Sequence, residues 1–447
     1  MSTTLKRTLN TWDLMMIAIG TVIGSGIFIV PAVVLRQTEG SAGLAMLVWL
    51  IAGILSLLGA LTYGELGAMR PEAGGLYVYI RESFGALPAF LYGWTLFFVM
   101  ASGSVATLAV AFASYLNQLV PLSPMTSRVS AILMILVVTV INVRSTRQSA
   151  NVQNLTTMLK VGVILVMSTL LLLLGNNAAA LSGNLWPAAF SPDIFSAIGL
   201  AMIGVLWAYE GWQYLTFSAG EALDPQRTFA RSLAIATALL IFIYLFANAA
   251  YMYALGIASA AQSDRVAAEA VSAVLGPAAG KLIAVAILIS MFSAANGVTL
   301  TASRVFFAMS RDGVFFQRLA EIHPRFGTPA LSIVWSSVIA VAFAATGTYE
   351  QLLTYVVFTG WIFYALGAMS LFVYRRKQPE AHRPFRVPGY PFTPILFILS
   401  AIALVVNTII SQPGRALVGI GIVLLGTPVF YVWKTGRMRA VKGAEVS

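Results

Sequence analysis

The sequence contains no cysteine, which excludes a disulfide framework, a thiolate nucleophile and a zinc–sulfur centre. It has only two histidines, His323 and His382, both in polar basic stretches, so no histidine-based metal cluster is expected. Charge is scarce. Asp, Glu, Lys and Arg make up 10% of the 447 residues, against about 25% in a typical soluble domain. The 27 basic residues outnumber the 16 acidic ones and leave a net charge of +11. Such a balance invites a nucleic-acid partner, but 59% of the chain is hydrophobic. A soluble globule cannot hide that much apolar surface, so neither a cytosolic enzyme nor a nucleic-acid binder accounts for the whole chain.

The surplus apolar residues are grouped. A bilayer-crossing helix needs about 20 of them, and twelve such stretches lie at 12–36, 43–68, 86–118, 127–143, 151–175, 194–219, 232–256, 278–303, 329–346, 350–374, 391–411 and 415–433. The connectors are short. The expectation is one all-α integral membrane domain over 1–447, with no separate soluble part. The first apolar stretch exceeds the ~7–15-residue core of a cleavable signal, and no small-residue cleavage site follows it. With both termini in the cytoplasm, 21 basic residues fall on the cytoplasmic side and 5 on the outer side, leaving Lys160 inside a span. That asymmetry fixes the expected orientation in a cell membrane and assigns the positive charge to topology. The basic tail from Lys434 to Lys442 reads as a juxtamembrane anchor.

Two stretches look discontinuous. The first contains Gly24-Ser25-Gly26, about 18–21 Å along a helix that starts near Trp12 and so near mid-membrane. The sixth contains Gly204 and then Trp207-Ala208-Tyr209-Glu210-Gly211. Unsatisfied backbone groups cost several kcal/mol in lipid, so irregular backbone is tolerated only where it lines a cavity. Small residues also serve close helix packing. The pairing favours a cavity, because interruptions in spans 1 and 6 have the spacing of an inverted five-helix repeat. Free N–H groups and free C=O groups at one depth suit a zwitterion, the former for a carboxylate and the latter for an ammonium.

Several motifs extend this pattern. They are Gly20-Thr21-Val22-Ile23-Gly24-Ser25-Gly26-Ile27-Phe28, Tyr63-Gly64-Glu65-Leu66-Gly67, Gly74-Gly75-Leu76-Tyr77, Asn142-Val143-Arg144-Ser145 with Gln153-Asn154, Ala208-Tyr209 with Gly211-Trp212, Asp224-Pro225, and Asn296-Gly297. In their order and spacing the chain resembles the amino acid–polyamine–organocation (APC) superfamily, most nearly its L-type amino-acid transporter branch, from about residue 10 to 390. The resemblance implies a LeuT-type 5+5 inverted repeat, with helices 1–5 at 12–175, helices 6–10 at 194–374, helices 11–12 at 391–433, and helices 1 and 6 broken. It implies alternating access and amino-acid exchange. Carried over by position, Ser25, Gly26 and Ile27 would offer N–H groups to the substrate carboxylate. Val22, Trp207 and Glu210 would offer C=O groups to its ammonium, and Ile23 and Ala208 belong to the same unwound stretches. Trp207 stands where the family usually has a gating Phe. Glu210 stands where many relatives have a small residue. Both departures leave the side-chain preference open.

Lys160 lies about 14 Å into the fifth stretch, counted from Asn151. A lysine near mid-membrane is costly unless it snorkels or has partners. By resemblance its ammonium replaces the sodium ion of coupled relatives, with carbonyl partners around Gly20; a proton-carrying role is the alternative. Tyr244 matches a family tyrosine that bonds near the lysine and span 1. Asn296 either lines the site, bonds the span-6 backbone or joins helices. Glu210 either stabilises the unwound segment, couples a proton or attracts a cationic group. Ser102 and Ser104 in the third stretch mark close packing or line the pocket. Glu65 and Glu221 are expected at helix ends near Arg70, Arg227 and Arg304, as gate pairs or as solvated pairs worth ~0–1 kcal/mol each.

The Gly-Xaa-Gly runs lack a strand–turn–helix context and a following Lys-Ser/Thr, which excludes a phosphate loop. No nucleophile–base pair supports catalysis, and no metal or cofactor is called for. The leading expectation is a sodium-independent carrier of neutral L-amino acids. The competitors are a cationic amino-acid or polyamine antiporter, a proton-coupled symporter, and a channel or sensor on the same scaffold. Twelve spans in two parallel halves would need a long basic loop after span 6, and residues 220–231 are too few. Without cysteine there is nothing to bridge an accessory subunit, so the expected partners are the amino-acid substrate and the lipid bilayer.

Overall fold

The computed structural model describes residues 5–175, 185–187, 192–347 and 349–444. Among these residues the fold is helical, and the β-pairing is one isolated bridge between Leu9 and Ala222. The chain opens with α1 (Thr11–Val22), α2 (Gly26–Gln37), α3 (Ala42–Met69) and the short α4 (Leu76–Phe84). Then α5 (Ala86–Thr95) runs through a π-turn at Leu96–Met100 into α6 (Ala101–Leu119), followed by α7 (Pro124–Arg144) and α8 (Thr146–Leu174). Next come α9 (Pro192–Ala208), a 3₁₀ segment (Trp212–Glu221), α10 (Pro225–Leu255), two short helices α11 (Ile257–Gln262) and α12 (Val266–Leu275), and α13 (Pro277–Arg311). The last four are α14 (Ala330–Thr346), α15 (Tyr349–Lys377), α16 (Phe392–Ser411) and α17 (Pro413–Ala444).

Local chemistry sets several of these boundaries. Asn10 and Asp13 form a reciprocal capping box at the start of α1, satisfying orphan N–H donors. Ser123 caps α7 ahead of Pro124, and Ser145 caps α8. Pro225 and Pro277 sit in the first turns of α10 and α13, where a missing N–H costs nothing.

Among the described residues nine helices are long and apolar enough to cross a membrane, or ten if the bent pair α1 and α2 is one span. The expected stretches at 194–219 and 329–346 correspond to α9 with its 3₁₀ continuation and to α14, each with 17 residues of α-helix. That length falls short of the ~20 residues a perpendicular crossing needs.

Packing against α3 brings α10 close. A Cβ on Gly67 would lie 2.4 Å from the Phe229 ring, and one on Gly64 would lie 3.1 Å from Ala230 Cβ. Small residues supply the attraction between helices in lipid by letting backbones approach. Around the α1–α2 break stand α6, α8, α10 and α13, and the stretch of α13 from Ser293 to Ser310 is buried.

Candidate functional site

The α1 ladder ends when the Ile23 N–H bonds to the Ile19 carbonyl at 2.9 Å. Residues 23–25 leave the helix, and α2 restarts at Gly26 with a 43° bend. The interruption therefore leaves carbonyls without helical donors on one side. On the other it leaves the first-turn N–H groups of α2, including those of Gly26 and Ile27, without helical acceptors.

The carbonyls are taken by side chains. Lys160 Nζ donates to the Gly20 and Ile23 carbonyls, each at 2.6 Å, and lies 3.5 Å from that of Ser290. Ser290 Oγ donates to the Ile23 and Gly24 carbonyls at 3.2 and 3.3 Å. Tyr244 Oη reaches Val22 O at 3.3 Å and Ala208 O at 2.8 Å, so one hydroxyl touches both interrupted helices.

The second interruption follows Ala208. Gly211 has φ of +131°, a backbone conformation that favours glycine. A Cβ there would lie 2.9 Å from the Thr21 carbonyl carbon and the Val22 nitrogen. Beyond Gly211 the chain winds as a 3₁₀ helix rather than the α-helix expected to 219. Glu210 is buried, and its carboxylate accepts hydrogen bonds from Gln213 Nε2 and Tyr364 Oη. Gln213 Nε2 also lies 2.7 Å from Tyr364 Oη.

Between the breaks lies a small cavity of about 20 Å³, room for about one water molecule. The first interruption contributes Thr21, Val22, Gly24, Ser25 and Gly26, and the second contributes Trp207, Glu210, Gly211 and Tyr214. Ser104 and Leu108 of α6 and Val298 of α13 complete the wall. Of the residues singled out in the sequence, Val22, Gly24, Ser25, Gly26, Ser104, Trp207 and Glu210 line it.

Ile23, Ile27 and Ala208 stand behind the wall. Ile23 turns its carbonyl to Lys160 and Ser290, Ile27 is buried, and Ala208 backs onto Gly26. Asn296 is not at the cavity. Its amide joins Asn142, Ser149 and Gln153 and so ties α13 to α7 and α8. Sequence reasoning missed Thr21, Leu108, Gly211, Tyr214 and Val298 as lining residues, and Gln213 and Tyr364 as partners of Glu210. Depth along a helix was readable for each of them, but the facing direction was not.

The carboxylates expected at helix ends are buried, with partners partly different from those anticipated. Glu221 pairs with Arg304 at 2.6 Å, their side chains 2% and 0% exposed, and Arg304 also donates to Thr146 Oγ1 at 2.8 Å. Glu65 pairs with Arg375 at 2.7 Å and lies 3.6 Å from Arg383, while Arg70 turns to Glu82 instead. These are therefore not solvated pairs. The N-terminal segment covers the first of them through bonds from the Thr8 and Leu9 N–H groups to the Glu221 carbonyl. Asp13, also buried, bonds Arg147 at 2.7 Å and Asn154 at 2.6 Å.

A bundle of apolar helices around a small, backbone-lined cavity is the build of a multi-pass membrane transporter. The family model for amino acid permeases matches residues 9–432. The rat (Rattus norvegicus) b(0,+)-type amino acid transporter 1 is 32% identical over 436 residues, covering 96% of this chain and 88% of the relative. The human (Homo sapiens) large neutral amino acids transporter small subunit 2 is 31% identical over 435 residues, covering 96% and 80%. The serine/threonine exchanger SteT of Bacillus subtilis (strain 168) is 30% identical over 442 residues, covering 96% and 97%. The chain belongs to the amino acid permease family, whose members are transporters rather than enzymes, and it carries amino acids across a membrane.

Proposed function

We propose that the protein is a sodium-independent exchanger of neutral L-amino acids that works by alternating access in the cell membrane, with both termini in the cytoplasm. One observation carries this reading. Two interrupted helices meet at a small cavity, and the buried Lys160 ammonium bonds the carbonyls of the first break. The N–H groups of Ser25, Gly26 and Ile27 would take the substrate carboxylate. The carbonyls of Val22, Trp207 and Glu210 would take its ammonium, and Trp207 would close over it. Lys160 supplies a fixed positive charge where a sodium ion would otherwise brace the break. That is why no sodium gradient is required.

Neutral substrates fit better than cationic ones. Glu210, the carboxylate nearest the cavity, is already engaged by Gln213 and Tyr364 and so acts as a brace for the unwound segment. The remaining walls are small, apolar or hydroxyl-bearing. Names of two relatives point the same way, one for large neutral amino acids and one for serine and threonine.

The architecture we propose has twelve spans. Counting α9 with its 3₁₀ continuation and α14 as crossings puts the breaks in spans 1 and 6, as an inverted repeat over 12–175 and 194–374 requires. Helices at 391–433 then lie outside the repeats. The orientation is supported by charge, with 21 basic residues on one side against 5 on the other. The ion pairs Asp13–Arg147, Glu221–Arg304, Arg81–Asp312 and Glu65–Arg375 all fall on that basic side. We further propose that the carrier works without a disulfide-linked accessory subunit, since this sequence has no cysteine.

The test is uptake of radiolabelled serine, threonine and leucine into proteoliposomes, with and without internal amino acid and with arginine or agmatine as competitors. Saturable uptake that requires internal amino acid, persists without sodium and resists both competitors is the expected result. Uptake displaced by arginine or agmatine would overturn the neutral reading. Equal uptake into empty vesicles would overturn exchange.

A further inference from the structure

The cavity between the breaks has room for about one water, but a far larger recess opens on the basic side of the bundle. It measures about 430 Å³, within the ~300–1,000 Å³ range of small-molecule sites. Three stretches of chain supply most of its wall. Lys6 and Thr8 precede α1, Ser145 to Arg147 form the α7–α8 corner, and Ile322 to Gly327 belong to the loop joining α13 to α14. Ser145, Arg147, Arg325 and Phe326 are shared with an adjoining crevice that adds Arg144.

Hydrogen bonds hold the loop in a closed turn. The His323 N–H bonds the Thr328 carbonyl at 2.9 Å, and the Gly327 N–H bonds the His323 carbonyl at 2.8 Å. Thr328 Oγ1 donates to the Val143 carbonyl at 2.6 Å and fastens the turn to the end of α7. His323 Nδ1 accepts the Arg325 and Phe326 N–H groups, each at 3.3 Å. Arg325 is thereby presented at the tip of the turn, in the same crevice as Arg144. Among the described residues neither of these arginines nor Lys6 forms an ion pair. The nearby carboxylates are already matched, Glu221 by Arg304 and Asp13 by Arg147. The first-turn N–H groups of α8 lack helical acceptors. No acidic residue offsets them, so the helix dipole adds to the positive field.

We propose that the recess binds a small water-soluble anion through a diphosphate group. The uncompensated charges of Lys6, Arg144 and Arg325 around one hollow match a diphosphate and exceed what a chloride or a single carboxylate can neutralise. The Phe326 ring offers no platform for a nucleobase, because His323 stacks on it at 4.5 Å and the Arg325 guanidinium lies 5.7 Å from its centre. The site therefore reads the phosphates, whether free as pyrophosphate or carried by a nucleotide. The segment that bears Lys6 is bonded to the end of the 3₁₀ segment through the Glu221 carbonyl. An anion held between Lys6 and Arg325 thus ties both interrupted helices to the α13–α14 loop. On the alternating-access reading proposed above, it clamps parts that must separate and so slows exchange; the binding itself does not rest on that reading.

The test is isothermal titration calorimetry of the full chain in detergent with pyrophosphate and with ADP, at physiological ionic strength, where charges beyond about 8 Å are screened. Both should bind saturably and compete. Arg144→Gln with Arg325→Gln loses two charge-assisted contacts and should weaken pyrophosphate roughly tenfold or more. Arg227→Gln with Arg318→Gln removes the same charge from the same side at exposed positions outside the recess. That variant should stay within about twofold of the parent. No saturable binding of pyrophosphate, or equal weakening in the two variants, would overturn the proposal. Binding of ADP without pyrophosphate would mark a site that reads the base and overturn it too. In proteoliposomes with pyrophosphate on both faces, exchange by the parent should slow and exchange by the first variant should not. Unslowed exchange by the parent at a pyrophosphate concentration that saturates the site would overturn the clamp.

Discussion

The ammonium of Lys160 lies 2.6 Å from the carbonyl oxygen of Ile23, the residue at which the α1 ladder stops. A side chain from α8 thus completes the backbone of a helix that would otherwise leave bare carbonyls in lipid. Lys160→Ala removes both short bonds, each a hydrogen bond to a charged donor worth about 1.5–3 kcal/mol. We predict that it inserts into the membrane at normal levels but exchanges amino acids at least about tenfold more slowly. Exchange kinetics equal to the parent would refute a bracing role for the lysine.

Contact between the two breaks leads to a second prediction. A Cβ on Gly26 would lie 2.5 Å from Ala208 Cα, closer than real Cβ contacts come. Gly26→Ala must push the interrupted segments apart and should abolish substrate binding. Gly421→Ala, where an added Cβ meets nothing within 4 Å, is the matched control and should bind normally. Scintillation-proximity binding on both variants separates these outcomes; normal binding by Gly26→Ala would show that the segments need not touch.

The buried pair Glu221–Arg304 predicts a stability effect. Arg304→Gln leaves a buried carboxylate without its cation, a change that costs about 3–5 kcal/mol in protein interiors. Its melting temperature in detergent should fall well below that of the parent. Arg227→Gln alters an arginine that is 87% exposed in its contact with Asp224, and should shift stability by no more than about 0.5 kcal/mol. Equal shifts in the two variants would contradict the assignment.

Glu210 discriminates between brace and charge. Glu210→Gln keeps an acceptor for Gln213 and Tyr364, so neutral exchange should stay within about threefold of the parent. Glu210→Ala strands both donors in a buried site, at about 1–3 kcal/mol per lost partner, and should slow exchange about tenfold or more. Loss of neutral transport in Glu210→Gln would show that the ionisable group itself is needed.

What the sequence made legible follows from distance along the chain. Gly24-Ser25-Gly26 and Gly211 announce their breaks locally, and Lys160 stands out as a lone charge in an apolar run. Leu108, Tyr214 and Val298 carried no such mark, because lining a cavity depends on how three helices rotate against one another. Glu221 and Arg304 are 83 residues apart, and Glu65 and Arg375 are 310 apart. Nothing in the spacing of either pair distinguishes a buried partner from a solvated charge at a helix end. Asn296 reads as polar at mid-helix whether it meets substrate or Asn142, and only packing decides. The shortness of α9 was hidden because its 3₁₀ continuation keeps the same apolar composition.

The central claim is that exposed backbone groups of the two breaks grip the amino acid. It is tested most directly by an experimental structure with a bound neutral substrate. The carboxylate should lie within hydrogen-bond reach of the Gly26 and Ile27 N–H groups, and the ammonium should rest against the carbonyls of Val22 and Trp207. Unbroken helix through residues 22–26 and 208–212, or a substrate held by side chains at another place, would contradict it.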